Sequence, residues 1–305
     1  MEKHRKKLIK NAAVFDGHSS GLVQGKKIVI EDDIVTEITA DEVSEENFDE
    51  VFDGTGMVAM PGMTDAHVHM GCLFAKGEFP VDYATVLTVA KCKDALMAGF
   101  TTFRDAGSVS EGLKLAFDEG VLPGPRIYPC GAYISQTCGH GDSEYAHTYR
   151  DIQYRHPSST VLVDGVPEII RAVREQFYRG ASHIKLMATE ILNRHEDIRL
   201  LFGTDMMITG PDYQVEQSED IRYYEKRFGT MRALRALTGT ANEVFALTTY
   251  QNPYPKGKIG VLEAGSYADL LLVDGDPTKS VLVLADTDHL RLIMKGGTVY
   301  KNTLC

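Results

Sequence analysis

The sequence predicts an α/β protein: a parallel (β/α)8-type barrel in the middle of the chain and a small β-sandwich built from its two ends. Three observations lead there. Short alternating apolar runs mark strands over the first 60 residues and again from about residue 254. Between those ends, helix-like and strand-like segments alternate, as a parallel barrel requires. The apolar run Met57, Val58, Ala59, Met60 enters a Pro-Gly step, beyond which His67 and His69 stand one residue apart.

Element by element, residues 8–15 read as a strand. Residues 27–31 and 34–38 read as a hairpin turning at Asp32-Asp33. The acidic run 41–50 reads as a solvated loop or short helix. Residues 81–97 have helical periodicity, with Val86, Val89, Ala90 and Leu96 available for a buried face and Gly99 as the stop. A strand follows at 100–104, a short helix at 112–119, and a strand over 126–134 interrupted by Pro129 and Gly131. After a polar loop over 135–165, Pro167 suits the first turn of a helix that runs through Tyr178. Residues 183–187 and 200–205 are apolar strands. Residues 268–274 form a buried run, and 290–294 with 298–301 form a second hairpin around Gly296-Gly297. The domain boundaries expected are 1–60 and 251–305 for the sandwich and 61–250 for the barrel, because either end alone is too thin to bury a core.

The 305 residues suffice for one large domain and a small one. Hydrophobic content of 43% and charged content of 25% fit a globular chain. A net charge of −11 argues against a nucleic-acid partner. No stretch approaches the ~18 apolar residues of a membrane span, and no apolar leader follows the basic start. Five cysteines without C-x-x-C fit reduced thiols, so a cytoplasmic location is expected. Gly17-His18-Ser19-Ser20-Gly21 matches G-x-S-x-G but lies between short strands, so it reads as a turn.

Side chains at i and i+2 of a strand share a face, so His67 and His69 project together as two nitrogen ligands for one ion; a surface pair arising by chance is the plain alternative. Lys185 lies among Ile184, Leu186 and Met187. Burial favours the neutral amine of a lysine, and a neutral amine can add carbon dioxide to give a carbamate, an oxygen ligand. Its long stem could equally carry the amine to solvent. Asp205 ends an apolar run in Gly-Thr-Asp, either at the catalytic end of a barrel strand or as a turn residue.

The segment 57–69 closely resembles the first barrel strand of the amidohydrolase superfamily, whose signature is hydrophobic-Pro-Gly-x-x-Asp-x-His-x-His. Residues 101–107 (Thr-Thr-Phe-Arg-Asp-Ala-Gly), 124–126 (Gly-Pro-Arg) and 139–142 (Gly-His-Gly-Asp) look like its imidazolonepropionase-related branch. That branch includes dipeptidases acting on Xaa-Pro or Xaa-Arg/Lys and other N-acyl amino acid hydrolases. The resemblance implies a TIM-like amidohydrolase barrel and a divalent metal, with zinc expected. It implies His67, His69, Lys185 and Asp205 as metal ligands, with Lys185 carboxylated by carbon dioxide. Asp205 would also take the proton of the attacking water. His140 would contact a small-molecule substrate, and a C–N bond would be hydrolysed.

One departure accompanies the match. Only 20 positions separate Lys185 from Asp205, where the family places its fourth and eighth strands. About three central βα units, with two further metal histidines, are expected to be absent. His195, among Asn193, Arg194, Glu196 and Asp197, has a surface context. Unpaired edges left by such a gap favour a homo-oligomer. The second reading is therefore a catalytically inactive relative acting as a binding or assembly protein.

Overall fold

The computed structural model describes residues 5–70, 81–107, 109, 111–137, 139, 141–142, 160–186, 199–207 and 213–304. His140 and His195 lie outside them. The chain opens with β1 (Lys6–Lys10) and β2 (Ala13–Val14). The single strand expected over 8–15 is broken at Asn11, whose φ of 65° is left-handed, a conformation asparagine tolerates better than most residues. The two pieces consequently enter different sheets. At the G-x-S-x-G match, Asp16 Oδ1 accepts from His18 N (2.8 Å) and Ser19 N (2.7 Å), which makes a turn. β3 (Lys27–Glu31) and β4 (Ile34–Thr39) form the expected hairpin. β5 (Glu50–Asp53) completes a sheet ordered β4-β3-β1-β5.

β6 (Val58–Pro61) runs into β7 (Met63–His69) through Gly62. A Cβ at Gly62 would fall 2.1 Å from Thr101 Oγ1, so only glycine fits. The α/β layer follows as α1 (Val81–Met97), β8 (Phe100–Asp105), α2 (Glu111–Asp118), β9 (Arg126–Tyr128), β10 (Tyr133–Ser135), β11 (Thr160–Leu162) and α3 (Val166–Tyr178). Then come β12 (Met206–Met207), α4 (Tyr213–Phe228), α5 (Thr230–Leu237) and α6 (Gly239–Ala246). Strands β12, β7, β8 and β9 lie side by side, all parallel. β10 pairs parallel with β11. Of the strand expected over 183–187, the described residues 183–186 carry one parallel bridge, Ile134 to Leu186, with Ile134 N donating to the Lys185 carbonyl (2.9 Å). The run 200–205 meets β7 through two backbone hydrogen bonds, Ala66 N to the Phe202 carbonyl (2.8 Å) and Asp205 N to the His67 carbonyl (2.7 Å); Asp205 is left-handed at φ 55°, and ladder pairing with β7 begins at Met206. Among the described residues these strands do not close into a barrel.

The core between strands and helices joins Val68, Phe100, Phe103, Ile127 and Phe202 to Cys92, Leu96, Leu113, Phe117, Ile221 and Leu234. The buried face of α1 is Thr88, Cys92, Ala95 and Leu96, while Val86 is exposed. The helical period holds, but the face is rotated from the one expected. Thr88 can be buried because its hydroxyl donates to the Met70 carbonyl (3.4 Å).

β13 (Leu270–Val273), β14 (Leu290–Lys295) and β15 (Thr298–Asn302) complete a second sheet, ordered β15-β14-β13-β6-β2. It thus holds strands from both ends of the chain. The two sheets share one apolar cluster, with Ile9, Ile28, Ile30 and Phe52 facing Ala59, Leu270, Leu272 and Met294. No helix among the described residues is long and apolar enough to cross a membrane.

Two buried cations fasten the second sheet to the parallel one. Arg126 Nε and Nη2 donate to Asp269 (2.7 and 3.2 Å), under the ring of Tyr267 at 3.8 Å. Lys295 Nζ donates to the Gly124 carbonyl (2.6 Å), and burial pulls its pKa down to about 8. Its unfolded value is 10.5, so between pH 8 and 10 the unfolded chain binds the extra proton and stability rises with pH. Buried Cys92, pushed up by desolvation, acts in the opposite direction. The comparison of wild type with Lys295→Met isolates the lysine. Wild type should gain about 2 kcal/mol on the variant from pH 8 to pH 10 in urea melts; parallel pH profiles would contradict it.

Candidate metal centre

β7 delivers both histidines. The ladder slips between Asp65 and Val68, and His67 within the slip and His69 just past it project together, ring centroids 5.4 Å apart. The 203–205 loop crosses their ends. Asp205 N donates to the His67 carbonyl (2.7 Å). A Cβ at Gly203 would lie 2.8 Å from His67 Cβ, so a glycine is needed for that approach. The result is convergence. His67 Nε2 and His69 Nε2 each lie 3.1 Å from the same oxygen, Asp205 Oδ1. Lys185 Nζ arrives from the far side, 3.0 Å from His67 Nε2. Four residues singled out in the sequence therefore meet; the fifth, His140, lies outside the described residues.

The arrangement fits a cation. One ligand atom from each of His67, His69 and Asp205 lies within 4.8 Å of the other two. His67 Nε2 cannot satisfy both its neighbours: as an acceptor it suits the Lys185 amine but repels the carboxylate, and as a donor the reverse. Burial drives its pKa down to about 4, with the Lys185 charge adding to the effect and Asp205 opposing it. Its lone pair is therefore free near neutral pH, as a metal ligand needs.

Sequence reasoning missed the residues that hold this group. Asp65 is fully buried and accepts from Thr204 Oγ1 (2.8 Å), Thr204 N (3.3 Å), His67 N (3.1 Å) and Gln217 Nε2 (3.5 Å). It ties β7, the 203–205 loop and α4 together. Burial raises its pKa to about 7 against the pull of those donors. The available signal was an aspartate two positions before His67 in a strand entered from an apolar run. Asp105 accepts from Met70 N (3.1 Å) and Val109 N (3.2 Å), and burial raises it to about 6. His183 is partly buried with Nδ1 3.0 Å from Ser182 Oγ. Burial, then the Arg104 charge, lowers its pKa to about 3.

Comparison with known proteins adds a family likeness. The amidohydrolase family profile matches residues 58–197. The match spans a little under half of the chain and marks a likeness to that family. The chain is also similar to the ochratoxinase of Aspergillus niger, at 34% identity over 152 residues covering 43% of this chain and 31% of that one. The matched stretch is thus under a third of the curated relative. Among solved structures the fold resembles a prolidase complexed with N-methylphosphonate-L-proline, with a TM-score of 0.82, 22% identity and coverage of 97% of this chain and 100% of the other. It also resembles a Xaa-Pro dipeptidase with methionine bound in its active site (TM-score 0.75, 20% identity, 97% and 100% covered). At such identities these two likenesses establish the amidohydrolase fold alone.

Proposed function

We propose that this chain hydrolyses C–N bonds in small amide substrates such as dipeptides or N-acyl amino acids. A divalent cation, zinc by its imidazole and carboxylate donors, would be held by His67, His69, Asp205 and Lys185. The observation that carries the reading is the meeting of those four side chains at one point. When bound, the ion supplies Lewis acidity and lowers the pKa of water. Carbon dioxide added to Lys185 would turn that residue into an oxygen donor. Asp205, with its side chain 72% exposed beside two imidazoles, is placed to take the water's proton and return it to the leaving nitrogen. Asp65 and Thr204 hold the loop that presents it. His140 would contact the substrate. The dipeptidases and the ochratoxinase among its relatives support the amide class.

The test is metal content by elemental analysis, with turnover of a dipeptide and N-acyl amino acid panel in zinc and bicarbonate. One or two ions per chain with hydrolysis are expected. A folded protein that takes up no metal and turns over nothing would sink the reading. The second reading, an inactive binding or assembly protein that forms a homo-oligomer, draws on a specific feature. Among the described residues no third imidazole joins the group of His67, His69 and Asp205. It predicts a stable oligomer, by light scattering, that His67→Ala leaves unchanged.

A further inference from the structure

We propose that Tyr133 is a positioning residue for the candidate ligand His69: its ring is a wedge that carries the packing of the 139–142 turn onto the back of that imidazole. The inference rests on the metal-centre reading above and adds the group that fixes the ligand's orientation.

His69 points Nε2 at Asp205 Oδ1, 3.1 Å away. Its other ring nitrogen, Nδ1, borders Gly107, just past the end of β8. A Cβ at Gly107 would lie 3.2 Å from His69 Nδ1 and 2.9 Å from Tyr133 Cδ1. Both rings therefore abut Gly107, with no room for a methyl group. Gly107 is not free to retreat. Ala106 N donates to the Val68 carbonyl (2.8 Å), and the Asp105 carboxylate accepts from Met70 N (3.1 Å), Val109 N (3.2 Å) and Gly107 N. The turn after β8 is thus pinned to β7 on both sides of His69.

The opposite edge of Tyr133 meets a second glycine. A Cβ at Gly141 would lie 3.0 Å from Tyr133 Cε2 and 2.6 Å from Ser135 Cβ. Gly141 N donates to Ser135 Oγ (3.1 Å), Gly139 N to the Gln136 carbonyl (3.0 Å) and Asp142 N to the Gly139 carbonyl (2.9 Å). Thr137 N donates to Asp164 Oδ1 (3.2 Å), just before α3. Tyr133 and Ser135 stand two apart on β10 and share a face, so the strand offers ring and hydroxyl together to this turn. The ring itself is 7% exposed. A rigid plane clasped at both edges passes a displacement of one edge to the other, because a close-packed interior transmits strain. Neither glycine has a left-handed φ, so an alanine at either position acts through its methyl group and not through backbone strain. Groups that orient a metal-binding imidazole from behind are typically worth roughly 10–100-fold in metal affinity.

The test is the zinc dissociation constant, from competition with a chromophoric chelator, together with the visible spectrum of the cobalt-loaded protein. Tyr133→Phe keeps the ring and should stay within about twofold of wild type, whereas Tyr133→Leu should weaken zinc binding about tenfold and shift the cobalt bands. Gly141→Ala, whose methyl presses on Tyr133 and Ser135, should weaken zinc binding about tenfold as well. In the Tyr133→Leu background Gly141→Ala should change zinc affinity no further, because the ring that carries its effect is gone. Urea melts report whether each variant folds; if Tyr133→Leu does not, Gly107→Ala, which crowds the same two rings, takes its place with the same expected loss. Unchanged zinc affinity in folded Tyr133→Leu or Gly141→Ala, where His67→Ala loses the metal, overturns the role of Tyr133 and leaves the metal centre standing. A loss in Gly141→Ala that persists in the Tyr133→Leu background overturns it too. A wild type that takes up no zinc overturns both.

Discussion

Asp205→Asn should lower kcat/KM by about a thousandfold while leaving the fold intact, the size expected for loss of a general base. The substitution suits this position for a geometric reason. Asp205 sits at φ 55°, where asparagine is nearly as comfortable as aspartate and alanine is not. Its side chain is 72% exposed, so nothing buried is left unpaired. The bond from its backbone N–H to the His67 carbonyl is untouched. A change in stability within about 0.5 kcal/mol is therefore expected. His67→Ala acts differently, by removing a ligand, and should lower metal content together with turnover. Hydrolysis of the best substrate within tenfold of wild type in Asp205→Asn would remove that carboxylate from the proton path.

The largest expected loss of stability is at Asp269→Ala. Asp269 is 3% exposed and takes two hydrogen bonds from Arg126, with a third from Gly296 N (2.6 Å). Burial works against the Arg126 charge, and Asp269 beside it more than compensates, so its pKa is raised. Removing the carboxylate strands a guanidinium between Tyr254 and Tyr267. The cost should be about 3–5 kcal/mol, read as a lower urea midpoint. The double variant Arg126→Met with Asp269→Leu should recover much of it, because an apolar pair of similar volume carries no stranded charge. A single variant costing under about 1 kcal/mol would show that the guanidinium reaches water and is no clasp.

Much of the site was legible because its chemistry is written locally. His67 and His69 are two residues apart on one strand, and that spacing alone places them on one face. Lys185 drew notice as a charge in an apolar run, and Asp205 as a carboxylate at the end of one. The supports were not legible. Asp65 looked like one more residue of the motif, yet three of its four donors come from residues 204 and 217, a separation no local pattern encodes. The strand ends were also misread. Asn11 and Asp205 take left-handed backbone conformations that split or shorten the runs containing them, and either residue type would have been acceptable in a plain extended loop.

By itself, then, the sequence determined the class of fold, the elements that alternate along it and the four side chains that meet. Periodicity and residue chemistry are local properties, and the chain carries them before it folds. The tertiary structure decided which strands share a sheet, which face of α1 is buried and which groups hold the candidate ligands in place. Those depend on burial and on pairings across more than a hundred residues, where desolvation sets the cost of each polar group and only the packed neighbours can offset it.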